Sequence, residues 1–469
     1  MKTSDAFNLI VQIEDSVDTD VFEWKGFITW PLVRQMLWVE LTSVASEGEV
    51  KTVKKRYAQK ALLSLERLVL IARCLFSDIG KRKDSSKIFI SRPVYLEEIG
   101  FERLFDRVVD PIIESLGGNE KITKYYVSKT PKKKKLVHKS LMMCPGVLNS
   151  FAPFTDKQKT VLCQIEYLSG ISALELQDRY KKMLKTFIRW FFSAKRTLSK
   201  QKNLKEIYLT SWYFPDMMGI CAAASTLGIE TIDVQHGKQG KYQAMYSGWN
   251  KIPDEGYDLM PDVFWCWGQT SCNHILTSSP SRRTHLPFVG GYPWIDYYKK
   301  HLMPDSCKPS GERPVVLVTL QPPQGLNTER IPNFIVDFLL SADAKDVYFI
   351  FRLHPNDKTG ARYCRKRLDQ VSAEIYSIDR GSRNLYDVFC LASYHITAYS
   401  SCCYEAKVFN IPTLLYGSES QEIYRDEIRD NIFAWTNSDV RDLKAWLNQA
   451  PHEKFCGKKP YIETSCINV

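Results

Sequence analysis

Val347-Tyr348-Phe349-Ile350-Phe351 runs straight into Arg352-Leu353-His354-Pro355. A short unbroken run of β-branched and aromatic residues, closed by a Pro turn, reads as a buried strand of a parallel sheet. The flanking sequence repeats the pattern. Upstream, 315–320 reads as a strand and 331–340 as a helix. Downstream, a helix around 358–371 leads to a strand at 374–377 and a helix around 384–390 to a strand at 394–397. A helix at 402–409 then leads to a strand at 412–416. Strands alternating with helices in this rhythm specify a parallel sheet covered on both faces.

Further upstream the rhythm recurs. Strand 206–210, helix 217–227 and strand 231–234 make a β-α-β unit, and 263–267 is a buried strand closed by Gly268. A polar stretch with Pro304, Pro309, Gly311 and Pro314 separates the two halves, and 296–313 reads as a linker. At 469 residues the chain is long enough for two cores. The expected fold is therefore α/β, with two Rossmann-like parallel-sheet domains facing a cleft, at 1–295 and 314–469. The first carries extra helices, expected at 53–76 and across 155–204, and a strand at 87–90. The aromatic-rich 24–32 segment reads as core or as an acceptor-facing surface.

Lys and Arg outnumber Asp and Glu by 64 to 53, a net charge of +11 that suits an anionic partner. The excess gathers at Lys132–Lys135 and along an amphipathic helix at 181–200, which suggests contact with an anionic membrane face. No zinc-finger, homeodomain or Gly-aromatic RNA-binding pattern is present, so nucleic acid is not an expected partner. The thirteen cysteines are scattered without Cys-x-x-Cys, which indicates neither a zinc site nor a disulfide framework. No apolar run approaches the roughly 20 residues of a spanning helix, and the amino terminus lacks the apolar core of a signal peptide. A cytoplasmic chain, peripheral on the membrane through its basic segments, is the expectation.

In open α/β sheets, ligands bind beyond the carboxyl ends of the strands. Three loops there carry chemistry. Gln235-His236-Gly237 follows strand 231–234, and His236 has the side chain whose ordinary pKa suits proton transfer near neutrality. Arg352-Leu353-His354-Pro355 follows strand 347–351; His354 can donate to a phosphate oxygen and Arg352 can add charge-assisted bonds. Tyr399-Ser400-Ser401 follows strand 394–397, where two hydroxyls meet the amides of a helix amino terminus. Glu405 lies about one turn further, able to reach a sugar hydroxyl or to close a capping box. Gln321, just past strand 315–320, is counted with the donor-binding candidates.

At these loops the sequence resembles GT-B glycosyltransferases, especially those of bacterial surface-polysaccharide assembly. The resemblance rests on Ser400-Ser401-Cys402-Cys403-Tyr404-Glu405-Ala406 and on Ile411-Pro412-Thr413-Leu414-Leu415-Tyr416-Gly417, and spans about 205–440. His354-Pro355 looks like the His-Pro of sialyl-, polysialyl- and Kdo transferases, which use CMP-sugars. That likeness implies that His354, Ser400 and Ser401 hold the donor phosphate. Asp254-Glu255-Gly256 matches the letters of the sialyltransferase acidic motif, whose acid is the general base. The order His-Gly, His-Pro, Ser-Ser is also similar to the CDP-glycerol and CDP-ribitol transferases of teichoic-acid synthesis, in which the His of His-Gly is the proposed base. This chain departs from them after His-Gly, with Lys238-Gln239-Gly240-Lys241-Tyr242, and carries Glu-Ala where they tend to have Asp.

The resemblance implies a metal-independent transferase without cofactor. It would move a sugar from a nucleotide-sugar, CMP-linked by preference, to a capsule, lipopolysaccharide or other glycan or glycolipid acceptor. Catalysis would draw on His236, Asp254 or Glu255, and donor binding on Arg352, His354, Pro355, Ser400, Ser401, Glu405 and Gln321. The alternatives are a CDP-polyol phosphotransferase, a nucleotide-sugar 2-epimerase, and a non-enzymatic scaffold for polyanions or membranes.

Overall fold

The computed structural model describes residues 3–42, 84–99, 103–117, 121–128, 135–145, 154–277, 283–304, 313–321, 330–354, 357, 359–381, 383–449 and 461–463. The helix expected at 53–76, Lys132–Lys134 and Pro355 lie outside them. The described residues up to Asp296, together with Glu463, form one compact unit, and those from Tyr297 to Ile462 form another.

The amino-terminal unit is built on seven strands: β1 (Lys87–Ser91), β2 (Ile122–Tyr126), β3 (Ser140–Met142), β4 (Glu206–Leu209), β5 (Glu230–Val234), β6 (Val263–Cys266) and β7 (Leu286–Val289). Their spatial order is β7-β6-β5-β4-β1-β2-β3, and every pairing is parallel. Pro287 sits in β7, the edge strand, where its missing N–H costs least. The order reverses between β1 and β4, so the crevice where ligands bind a doubly wound sheet lies at the carboxyl ends of those strands.

The extra helices of this unit are Thr3–Ser16, Trp30–Thr42, Asp156–Ser169 and Ala173–Leu198. Helix Asp156–Ser169 starts at a complete capping box, with Thr155 and Gln158 each bonding the other's backbone N–H, and stops at left-handed Gly170. Helix Ala173–Leu198 buries Leu176, Tyr180, Leu184, Phe187 and Phe191 while Lys181, Lys182, Lys185, Lys195 and Arg196 stay exposed. Its apolar face meets helix Pro215–Ser225 so closely that a Cβ at Gly219 would stand 2.6 Å from the carbonyl oxygen of Phe187. Trp24 and Phe27 pack on Phe191 at 5.4 and 5.3 Å, which makes this part of the 24–32 segment an aromatic cluster against that helix.

The carboxy-terminal unit has six strands: β8 (Val315–Thr319), β9 (Tyr348–Arg352), β10 (Tyr376–Asp379), β11 (Tyr394–Thr397), β12 (Thr413–Tyr416) and β13 (Ala434–Thr436). The order β10-β9-β8-β11-β12-β13 is all parallel, the 3-2-1-4-5-6 winding of a dinucleotide-binding sheet. Its core joins Val316, Val318, Phe349, Phe351, Ile396 and Leu414 to residues from the covering helices. Both expected Rossmann-like sheets are thus present.

Two expectations change. The stretch read as linker begins inside helix Pro293–His301, and the division between units falls within that helix, between Asp296 and Tyr297. Pro293 at the first helical position and Lys299, Lys300 and His301 in the last turn are ordinary helix signals. Among the described cysteines, Cys163, Cys221, Cys266, Cys272, Cys364, Cys402 and Cys403 are thiols, whereas Cys144 and Cys390 are disulfide-bonded, where the scattered spacing had indicated no disulfide framework. Among the described residues, no helix is long and apolar enough to cross a membrane.

Candidate functional site

In the carboxy-terminal unit the winding reverses between β8 and β11. Gln321 lies two residues past β8, His354 two past β9, and Ser400 three past β11. The sheet therefore brings these candidates to one end. Ser400 Oγ accepts the Cys402 amide at 3.3 Å, fixing the turn into helix Cys402–Val408. The Ser401 side chain makes no such capping bond. Ser400 thus shapes the loop. His354 is half-buried; burial pushes its pKa below the ordinary value, against the pull of Asp357, so it is neutral near pH 7. Asp357 is itself fixed by Arg330, which donates through Nε at 2.5 Å and through Nη2 at 3.1 Å. The Asp357 amide donates to the His354 carbonyl at 2.8 Å.

Two donor candidates have other duties. The Arg352 guanidinium is paired with Asp379 across β9 and β10, and its Nη2 donates to the Arg383 carbonyl at 2.9 Å. Both contacts fix the loop beside His354. Glu405 is buried and accepts the Tyr386 hydroxyl at 2.6 Å, so it ties two helices together and closes no capping box.

In the amino-terminal unit, His236 lies two residues past β5. Its Nε2 stands 3.3 Å from Ser211 Oγ and 3.2 Å from the Tyr213 hydroxyl. Ser211 also bonds the Tyr95 hydroxyl at 2.5 Å, and the Tyr95 ring lies 5.3 Å from the imidazole. Ser211 is held at φ 58°, a left-handed conformation that a non-glycine residue keeps only when its surroundings impose it. The restraint is visible nearby: the buried Asp233 carboxyl accepts the Trp212 amide at 3.1 Å and the Tyr246 hydroxyl at 3.0 Å. Burial pushes the Asp233 pKa up to about 8. Burial, then the positive charges of Arg107 and Arg92, push His236 down to about 4. It is uncharged at neutral pH.

The acidic motif lies elsewhere. Asp254 and Glu255 are exposed, and Glu255 lines a cavity of about 310 Å³ with Glu230, Val263 and Leu286, the first residues of β5, β6 and β7. That is the amino end of the sheet, opposite His236. Gly256, at φ 82°, and Tyr257, whose amide donates to His285 Nε2 at 2.8 Å, show a turn built for structure. Sequence reasoning weighed this motif as a base and missed Ser211, Tyr213, Tyr95 and Arg92. The rule that picked His236 would have found them, since each follows an expected strand. Arg107 carried no such signal. Among the described residues, no group of three or more His, Cys, Asp or Glu side chains is arranged to hold a metal ion.

Residues 331–438 match the family described as CDP-Glycerol:Poly(glycerophosphate) glycerophosphotransferase. No curated protein matches the chain. Solved structures of similar shape include a putative UDP-N-acetylglucosamine 2-epimerase from Listeria monocytogenes, 13% identical, covering 81% of this chain and 93% of its own, with a TM-score of 0.47. The glycosyltransferase SnogD from Streptomyces nogalater is 13% identical over 78% of this chain and 91% of its own, at 0.39. The wall teichoic acid polymerase TagF is 12% identical over 83% and 88%, at 0.41. The family match falls on the part of the chain that carries Arg352, His354, Ser400, Ser401 and Glu405.

Proposed function

We propose that the donor is a cytidine nucleotide and that the chain moves a polyol phosphate from a CDP-polyol to a hydroxyl of a surface polymer. The observation that carries this is the family match over residues 331–438, which covers the His354 and Ser400–Ser401 loops. In that reaction the acceptor oxygen attacks the phosphorus bearing the polyol, its bond to the CMP oxygen breaks, and CMP leaves. His354 and Ser401, with the loop fixed by Ser400, donate to the leaving phosphate, an electrostatic task for preset donors. His236 receives the acceptor proton. Activity is expected to survive chelation.

A second reading, transfer of a sugar from a CMP-sugar to a capsule or lipopolysaccharide acceptor, is favoured by the His354-Pro355 dipeptide. CMP leaves there too, but the bond broken is at the sugar's anomeric carbon. Labelled donors separate the two. With CDP-glycerol labelled at the glycerol-bearing phosphorus, the label is expected in the polymer; a polymer labelled only from CMP-sugars refutes the first reading and supports the second. The exposed lysines of helix Ala173–Leu198 suit a peripheral position on an anionic membrane face, close to such an acceptor.

A further inference from the structure

At the carboxyl ends of β1, β4 and β5 several polar groups are buried without a partner or held in place by their neighbours. Ile90 of β1 pairs with Leu209 of β4, so Ser91 and Thr210 follow side by side at the point where the winding reverses. Both are fully buried, and neither hydroxyl has a hydrogen-bond partner. Arg92, the next residue, pairs with Asp216 at 2.5 Å, yet its Nε is left without a partner. Its guanidinium lies 4.4 Å over the Phe214 ring. Phe214 is 39% exposed and packs at 5.0 Å on Tyr213, the residue that reaches His236. Arg107 has its amide bonded to the carbonyl of Tyr95, whose ring lies against His236, and its Nη1 is 3.7 Å from Glu97.

Fixed cations beside an aromatic pair with one exposed ring, around a histidine, are what a charged sugar or polyol needs. The cations take the charge and the rings take the apolar face of the chain or ring. Resting on the transferase reading above, we propose that this crevice is an acceptor subsite for an anionic terminus. Arg92 and Arg107 hold its phosphate or carboxylate, and Tyr213 and Phe214 carry its body, with the reacting hydroxyl at His236. Burial is the main cause of the low His236 pKa, and the two arginines add to it, which agrees with a field that favours a negative ligand. An anion bound there would offset the part of the shift that the arginines cause.

The test uses the full chain with saturating CMP, so that the donor site is occupied. Glycerol 3-phosphate and glucuronate serve as charged probes, glycerol and glucose as uncharged ones, each read by the shift in melting temperature. At least one charged probe is expected to bind ten times more tightly than its uncharged counterpart, and which one binds names the anion. Arg107→Gln is expected to weaken that probe at least tenfold, with Arg107→Lys recovering most of it and CMP affinity unchanged. Phe214→Ala, at an exposed ring, is expected to weaken the same probe at least threefold and covers the case in which Arg107→Gln does not fold. Equal binding of charged and uncharged probes, or none by either, overturns the inference, as does normal probe binding in the folded variants. A protein that binds CMP but no probe loses only this subsite. One that binds probes but no cytidine nucleotide loses the donor reading instead.

Discussion

Replacing Arg34 with Met should loosen the amino-terminal unit around His236 more than any surface change. Arg34 is completely buried on helix Trp30–Thr42 and paired with Glu14 of helix Thr3–Ser16. Its other donors bond the carbonyls of Ala244 at 2.8 Å, Ser247 at 2.9 Å and Gly248 at 2.8 Å, on the segment that follows the His236 loop. Gly248 is at φ 72°, so that segment depends on outside restraint. The substitution leaves a buried carboxylate and three carbonyls without their donor. Breaking one side of a buried ion pair costs about 3–5 kcal/mol, more than a hundredfold in the local folding equilibrium. Hydrogen exchange of peptides covering residues 3–42 and 236–250, in increasing urea, reads the loss where it occurs. A second change, Glu14→Leu, should return part of it by removing the stranded charge. A loss below about 1 kcal/mol in Arg34→Met would refute the claim that this pair anchors the loop.

Other outcomes follow from the same geometry. Ser211→Gly removes a left-handed serine and its hydroxyl together, so stability should hold or rise by about 1 kcal/mol while turnover falls at least tenfold; unchanged turnover would remove Ser211 from the site. His354→Ala should lower turnover by about 100- to 1000-fold with an unaltered melting temperature, and normal activity would end its phosphate role. His395, buried between the hydroxyls of Thr319 and Thr413, is pushed by burial down to about 3, and His236 to about 4. The unfolded chain therefore takes up protons that these imidazoles refuse, and stability should fall as pH drops from about 6.5 towards 4. His395→Gln should flatten that slope in urea titrations at pH 7 and pH 5, and an identical slope would show that His395 does not set it.

The α/β rhythm of the carboxy-terminal unit was legible because fully buried parallel strands must be apolar end to end. Val347–Phe351 and Tyr394–Thr397 therefore stand out, and the structure shifts the first by a single residue. The placement of His354, Ser400, Ser401 and Gln321 at strand ends followed from that rhythm. What stayed hidden depends on partners distant in sequence. The charge of Arg352 is committed to Asp379, and Glu405 to Tyr386, pairings that only the folded sheet and helices create. Asp254-Glu255-Gly256 matched a motif by its letters, but strand direction decides which end of the sheet a loop occupies, and this one precedes β6 rather than following β5. The Pro and Gly content after residue 303 suggested a linker starting too early, because helix Pro293–His301 is short, polar and opened by a proline that also reads as a turn.

The central claim is that the loops after β9 and β11 hold a cytidine nucleotide. A thermal-shift panel of CMP, CDP, UDP, GDP and ADP tests it most directly, since a ligand of the folded state must raise its apparent stability. CMP and CDP are expected to raise the melting temperature more than the other three, and Ser401→Ala and His354→Ala are each expected to shrink that rise. Stabilisation by UDP without CMP or CDP, or an undiminished cytidine shift in both variants, would contradict it.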